Sequence, residues 1–373
     1  MCLVRLGPRI RRLLPENLPC HTTAAHPRDT PEAQQRRAHT KVQEPLAQDR
    51  AMLASIAAAH FGLSRRGGAR LCRRATAMSV PLETPPALIT FDFTGTLFEP
   101  RSSVGVLYRQ VICAEAARES AACGEAADSL SVAALDAAFR SAYAAAAEAH
   151  PCFGAGCLSS EAWWRGVVEA TIVGAAGPDV FPALAPALPP AFDELFGSTF
   201  VSAQGWRPLP SALESLQALS EWRAAQPAAR RPCVGVISNW DERLPQLLDA
   251  LGAARHFDFV LTSREVGAEK PAALIFERAR ELAGVPAGAR ALHIGDSVGN
   301  DVAGAAAVGW EAVYAKPAAK RARLGAAERA ALEALPHHYV EDLSGLLPQI
   351  GITGGPQTQV ASRNCGTPRT NTY

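Results

Sequence analysis

The chain has 373 residues, 48% of them hydrophobic, enough for one large or two ordinary domains built around buried cores. Its formal net charge of +1 gives no general electrostatic pull toward nucleic acid or a membrane surface, so neither is expected as a partner. The nine cysteines are odd in number and scattered. Cys152 and Cys157 lack a Cys or His pair at a matching distance, which argues against zinc and for reduced thiols. No uninterrupted apolar run reaches the roughly 18 residues of a spanning helix.

Residues 1–77 are rich in Arg, Ala, Pro and His and separate from the rest by composition. The opening MCLVRLGPRIRRLLP carries Arg5, Arg9, Arg11 and Arg12 and no acid, and a second acid-free stretch from Met52 to Ala77 carries Arg65, Arg66, Arg70, Arg73 and Arg74. Both resemble organelle transit peptides, so a disordered basic leader directing the chain to a mitochondrion or chloroplast is expected. A disordered arm without address is the alternative, and a chain begun at Met78 would lack the leader and stay in the cytoplasm.

From Pro86 onward, short apolar runs alternate with helical sequence. ALITFD (87–92), CVGVIS (233–238), FDFVL (257–261), ALHIG (291–295) and EAVYA (311–315) have strand length, which predicts an α/β fold with a doubly wound parallel sheet, Rossmann-like in its core. Residues 101–204 are dominated by Ala, Glu and Arg at helical spacing and read as an inserted helical module. The core is then 78–100 with 205–350. Within the module, GAAGPDVFPALAPALPPAF (174–192) has Pro and Gly too often for one helix and reads as a helix-connecting loop. Residues 351–373 have the Gly, Thr and polar composition of a disordered tail.

Chemistry-bearing residues fall where the strands end, and in a doubly wound sheet ligands bind there. Asp92 ends the first strand and Ser238 the second, Lys270 follows the third in GAEKP, and Asp296 and Asp301 follow the fourth in GDSVGND. A carboxylate nucleophile, a hydroxyl, a fixed cation and a second acidic pair suit phosphoryl transfer through an aspartyl-phosphate. Asp92 attacks, Ser238 and backbone N–H groups hold phosphate oxygens, Lys270 offsets their charge, and Asp296 with Asp301 holds Mg²⁺. The chain has four lysines, and Lys270 is the only one between Lys41 and Lys316, which favours a function for it. Asp241 reads as structural, Trp163 and Trp164 as packing aromatics of the module, and His150, His256 and His293 as ordinary isolated histidines.

The ordered set FDFTGT, VISNWDERL, HFDFVLTSREVGAEKP and HIGDSVGNDVAGAAAVGW resembles the haloacid dehalogenase-like hydrolase superfamily over residues 86 to about 350. Within it, the set is most similar to the subfamily of haloacid dehalogenase-like hydrolase domain-containing protein 3. The resemblance implies that 101–204 is a helical cap that closes over the site. It also implies that Asp92, the Thr94 carbonyl, Asp296 and Asp301 form the metal site, and that Gly95, Thr96, Ser238, Asn239 and Lys270 cradle the phosphate of a small phosphorylated substrate.

One position departs from the pattern. Phosphatases of the superfamily carry an aspartate two residues past the nucleophile to protonate the leaving oxygen and later activate water, and here that position is Thr94. A weakened or substrate-restricted Mg²⁺-dependent phosphohydrolase is expected. A metal-free 2-haloacid dehalogenase also lacks that aspartate, but such enzymes replace the acids that Asp296 and Asp301 retain. A catalytically silent binding or regulatory protein is the third reading. A phosphonatase-type Schiff base is set aside, because no lysine lies between 101 and 204.

Overall fold

The computed structural model describes residues 85–350 and 352; the expected leader and nearly all of the expected tail lie outside them. Strand β1 (Leu88–Phe91) is flanked by β4 (Cys233–Ser238) and β6 (Ala291–Gly295) in a six-stranded parallel sheet of order β5-β4-β1-β6-β7-β8. The remaining members are β5 (Phe259–Thr262), β7 (Glu311–Ala315) and β8 (His338–Val340). Strands β1 and β6 are buried along their whole length, as near-continuous apolar runs require when helices cover both faces. The last strand escapes a hydropathy reading because it is three residues long and opens on His338.

The chain leaves the core along β2 (Phe98–Pro100) and returns along β3 (Trp206–Pro208), which pair antiparallel. Arg207 bonds Glu99 at 2.7 Å beside this stem. Between the two strands lie helices α1 (Val104–Glu119), α2 (Ala121–Asp128), α3 (Val132–Ala149), α4 (Ser160–Leu184) and α5 (Leu188–Gly197). Alanine-rich sequence leaves helix starts poorly defined, and serine supplies them. Ser103, Ser120, Ser131 and Ser159 each accept a backbone N–H from the residue three further on, at the starts of α1 to α4.

The expected loop at 174–192 is instead mostly helical. The chain breaks only at Gly177 (φ 74°, ψ 171°), and Pro178 then opens the next turn, where its missing N–H has no intrahelical partner to lose. A single turn at 185–187 leads into α5. Ser160–Val201 is therefore a nearly continuous helical stretch, long and apolar enough to cross a membrane by length and composition alone, a feature that counting uninterrupted apolar runs passes over. In the fold it packs Val167, Val168, Ile172 and Leu184 into the buried interior of the module.

Helices α6 (Ala212–Ala225) and α7 (Leu244–Ala250) send Leu216, Leu219, Leu247 and Leu248 into the cluster around Phe91, Val236 and Ile294 on one sheet face. Helix α8 (Ala273–Leu282) sends Ile275 and Phe276 to the other face, against Ile237 and Tyr314. The strand order reverses at β1, between β4 and β6. That reversal opens a crevice at the strand ends, and Asp92 stands at its centre.

Candidate active site

Asp92 extends β1 by one residue, its N–H donating to Ile294 O at 2.8 Å, and its side chain is buried. Ser238, at the end of β4, donates its hydroxyl to Asp92 Oδ1 at 3.0 Å. Lys270 Nζ, 2% exposed, donates to the same oxygen at 2.7 Å and to Asp301 Oδ1 at 2.6 Å. Burial alone pushes that ammonium toward neutrality. The Asp301 and Asp92 carboxylates outweigh it, so the Lys270 pKa is raised and the cation persists.

Asp301 sits in the first turn of a π-helical segment, Val298–Ala303, and accepts the Ser297 N–H on Oδ2 at 2.9 Å. Its Oδ1 also meets His293 Nε2 at 3.0 Å, so three of its roughly four lone-pair directions are taken. Against the burial that raises it, Lys270 and His293 hold its pKa well below the usual carboxylate range. Asp92 moves the other way, raised by burial beyond what Lys270 offsets, with the Asp301 charge adding to the rise. Two acids sharing one cation divide it unequally, and a divalent cation beside them would bring Asp92 down again.

Asp296 is half-buried and bonded to Lys316, whose Nζ lies 2.9 Å from both Asp296 Oδ2 and Asp296 O. Burial pushes its pKa up to about 6, with Lys316 opposing. One carboxylate oxygen from each of Asp92, Asp296 and Asp301 lies within 4.8 Å of the others. Two glycines permit this convergence. A Cβ on Gly95 (φ +86°) would stand 2.7 Å from Asp296 Oδ2, and one on Gly295 would stand 2.1 Å from Asp301 Cγ. Three hard carboxylates in this cradle fit a cation of the Mg²⁺ type.

The remaining expected residues divide. Thr94 is exposed, and its Oγ1 accepts the Trp240 indole N–H at 3.1 Å. Its carbonyl accepts no hydrogen bond among the described residues, so a cation would displace no protein donor from it. Thr96 is 3% exposed, and its hydroxyl has no hydrogen-bond partner among the described residues. Asn239, expected in the phosphate cradle, also holds the Lys270 backbone. Its Oδ1 accepts the Lys270 N–H at 2.8 Å and its Nδ2 donates to Lys270 O at 3.1 Å. Bonded to both the N–H and the C=O of one residue, the side chain positions Lys270.

Other residues of the site went unread. His293, taken as isolated, lies in the middle of β6; burial and the Lys270 cation lower its pKa, so it is neutral. Thr90 Oγ1 lies 2.9 Å from Nδ1, and the Asp301 carboxylate, which can only accept, faces an Nε2–H. A lone polar residue inside the apolar run ALHIG was the available signal. Lys316, at the end of β7, satisfies the same rule of scarcity and strand-end placement that singled out Lys270.

Trp163 packs inside the module, whereas Trp164 donates its indole N–H to Asp241 Oδ2 at 2.7 Å, across to the loop after β4. Asp241 is fully buried and also takes Arg243 Nη2 at 2.7 Å, and Arg243 Nη1 reaches back to Phe196 O at 2.7 Å. Ser160 Oγ bonds Glu242 Oε1 at 2.5 Å, and Arg264 holds Glu242, Leu158 O and Phe153 O. These contacts hold the helical module closed over the strand ends. Between the two lies a cavity of about 300 Å³ with Thr94, Asn239 and Trp240 in its wall.

A carboxylate thus stands at the switch point of a doubly wound fold with an acidic cluster beside it. A family model described as haloacid dehalogenase-like hydrolase matches residues 86–309, and the chain belongs to that family. It is 33% identical over 276 residues to haloacid dehalogenase-like hydrolase domain-containing protein 3 of Bos taurus, covering 73% of this chain and 97% of that one, which sets it in that subfamily. A ribulose-1,5-bisphosphate 5-phosphatase of Halopiger xanaduensis is 39% identical over 100 residues, 26% of this chain and 41% of that protein. Among solved structures, a 2-haloacid dehalogenase from Pseudomonas syringae pv. Tomato DC3000 aligns with a TM-score of 0.44 at 23% identity, over 70% of this chain and 96% of that one.

Proposed function

We propose that the protein is a Mg²⁺-dependent phosphohydrolase acting on a small phosphorylated metabolite through an aspartyl-phosphate on Asp92. The observation that carries this reading is the Lys270 ammonium, bonded at once to Asp92 Oδ1 and Asp301 Oδ1 beside a third carboxylate, Asp296. Asp92, Asp296 and Asp301, with the Thr94 carbonyl, would hold the cation, which supplies charge neutralisation for the transferring phosphoryl group and lowers the Asp92 pKa.

A carboxylate oxygen of Asp92 attacks phosphorus while the bond from phosphorus to the ester oxygen breaks, and that oxygen keeps the electron pair. Lys270 and the Ser238 hydroxyl, both already on Asp92 Oδ1, stand ready to bond the phosphate oxygens as negative charge moves onto them. Water then attacks the acyl phosphate and releases inorganic phosphate and the free carboxylate. Thr94 carries no acid that could protonate the leaving oxygen. With Trp240 donating to Oγ1, its own hydrogen is free to bond that oxygen but is too weakly acidic to transfer. Activity is therefore restricted to esters whose oxygen leaves readily as an anion.

The test is a screen of alkyl, aryl and acyl phosphates with and without Mg²⁺. Metal-dependent release of phosphate that vanishes in Asp92→Asn supports the reading. Metal-independent halide release from 2-haloacids would replace it with the dehalogenase reading, and inactivity with retained ligand binding would replace it with a binding role.

A further inference from the structure

We infer that the cavity between the helical module and the strand ends is a leaving-group chamber for a fused aromatic ring system, so that the substrate class is the phosphate monoester of a bicyclic aromatic alcohol. The inference rests on the aspartyl-phosphate reading above and adds the identity of the group that departs.

The chamber's composition is the first argument. Ten of its 17 lining residues are aromatic, among them Tyr143, Trp164 and Phe196 from the module and Trp206 and Trp240 from the core. Arg243 is the sole formally charged residue in the lining among the described residues, and its charge is already spent. The guanidinium donates to both oxygens of Asp241 and to Phe196 O, and its carbon stands 3.7 Å from the centre of the Phe196 ring. The Asn239 amide bonds Lys270 through its oxygen and one N–H, and the Thr94 oxygen accepts from Trp240, which leaves one Asn239 N–H, the Thr94 hydroxyl hydrogen and the Tyr108 and Tyr143 hydroxyls as the few remaining side-chain polar groups of the lining. A sugar entering this space would bury hydroxyls with few partners, each such loss weakening binding by roughly tenfold or more.

Size is the second argument. A dry cavity of about 150 Å³ takes one benzene ring. This one, at about 300 Å³, has room for two fused rings, and its aromatic walls offer the edge and face contacts that a planar guest prefers. Position is the third. Thr94 and Asn239, two residues past Asp92 and one past Ser238, both line the chamber, so a group held there joins the phosphorus next to the nucleophile. The chemistry agrees independently, because an aryl oxygen departs as an aryloxide and needs no proton from Thr94. The bond from Asp92 Oδ to phosphorus forms as the bond from phosphorus to the aryl oxygen breaks. The aryloxide then takes its proton from water.

The experiment compares kcat/KM for 1-naphthyl phosphate, phenyl phosphate and glucose 6-phosphate at saturating Mg²⁺, in the full chain and in Val168→Trp, which projects bulk from α4 into the chamber. The two aryl oxygens differ little in basicity, so their ratio reports the second ring. Burying that ring predicts a preference for naphthyl over phenyl of about tenfold, with glucose 6-phosphate slower than either, and the preference should collapse in Val168→Trp. Equal rates for the two aryl esters, or a faster glucose 6-phosphate, would overturn the chamber while leaving the phosphohydrolase reading standing. If neither these esters nor acetyl phosphate turn over, that reading falls, and calorimetric titration with 2-naphthol decides the chamber by itself. Binding that disappears in Val168→Trp supports it, and no binding to the native chain overturns it.

Discussion

Replacing Thr94 by aspartate tests what the site lacks. The Thr94 oxygen is solvent-exposed and lies 3.1 Å from the Trp240 indole nitrogen, so a carboxylate introduced there would keep that donor. Positioned acid-base catalysis is worth roughly 10²–10⁴ in rate, about 3–5 kcal/mol of barrier. The Trp240 hydrogen bond favours the ionised carboxylate over the acid that must give up the proton, which sets the gain near the lower end, about 10². The gain should fall on alkyl phosphates, whose oxygens leave poorly as anions, and hardly on aryl phosphates. In the native protein the acyl phosphate on Asp92 should accumulate, so a burst equal to the enzyme concentration precedes slow turnover, and Thr94→Asp should shrink it. Rapid-quench kinetics with both ester classes reads all three quantities, at Mg²⁺ concentrations saturating for each variant because the substitution adds charge beside the metal ligands. If alkyl and aryl phosphates turn over equally fast in the native protein and Thr94→Asp gains nothing, another acid is present and the assignment is wrong.

Four further outcomes are expected. Asp92→Asn and Asp296→Ala should each abolish turnover while circular dichroism and the melting transition stay near native, because both residues lie at strand ends outside the apolar clusters; persisting hydrolysis in Asp92→Asn would end the covalent mechanism. Asp296, raised to about 6, takes up a proton as pH falls through that value, and the proton competes with the cation, so Mg²⁺ affinity should fall by up to about tenfold per unit below pH 6, as read by titration calorimetry. Asp241→Ala leaves the Arg243 guanidinium, 12% exposed, without its carboxylate, and should lower unfolding stability by about 3–5 kcal/mol in urea while shifting Trp164 emission; a change under about 1 kcal/mol would remove the latch role. A fluorescent protein fused after residue 77 should enter a mitochondrion or chloroplast, and a diffuse cytosolic signal would count against the leader.

The order of most elements and the place of Asp92 at the end of the first strand were legible in the sequence because both depend on local pattern. Apolar runs of strand length declare a parallel sheet, and the rule that ligands gather at its carboxyl ends picks out Asp92, Ser238, Lys270, Asp296 and Asp301 without coordinates. The absence of a carboxylate at Thr94 is likewise a one-letter fact. Contacts between residues far apart in the chain were decided only by the tertiary fold. His293 looked isolated because its partner Asp301 is set by the turn of a π-helical segment that no periodicity announces. The hold of the Asn239 amide on the Lys270 backbone was equally unannounced, because the two residues stand 31 apart in sequence and only the fold brings them together.

Helix at 174–192 was misread because proline and glycine break a helix in its interior, whereas Gly177 sits at the break itself and Pro178 just after it. The chamber is the furthest from the sequence of all. Its aromatic walls come from helices and loops spread from Thr94 to Arg243, and whether those rings make a packed core or line a cavity depends on how far apart the backbones stand. That spacing is fixed where the Asp241, Glu242 and Arg264 bonds hold the helical module against the sheet.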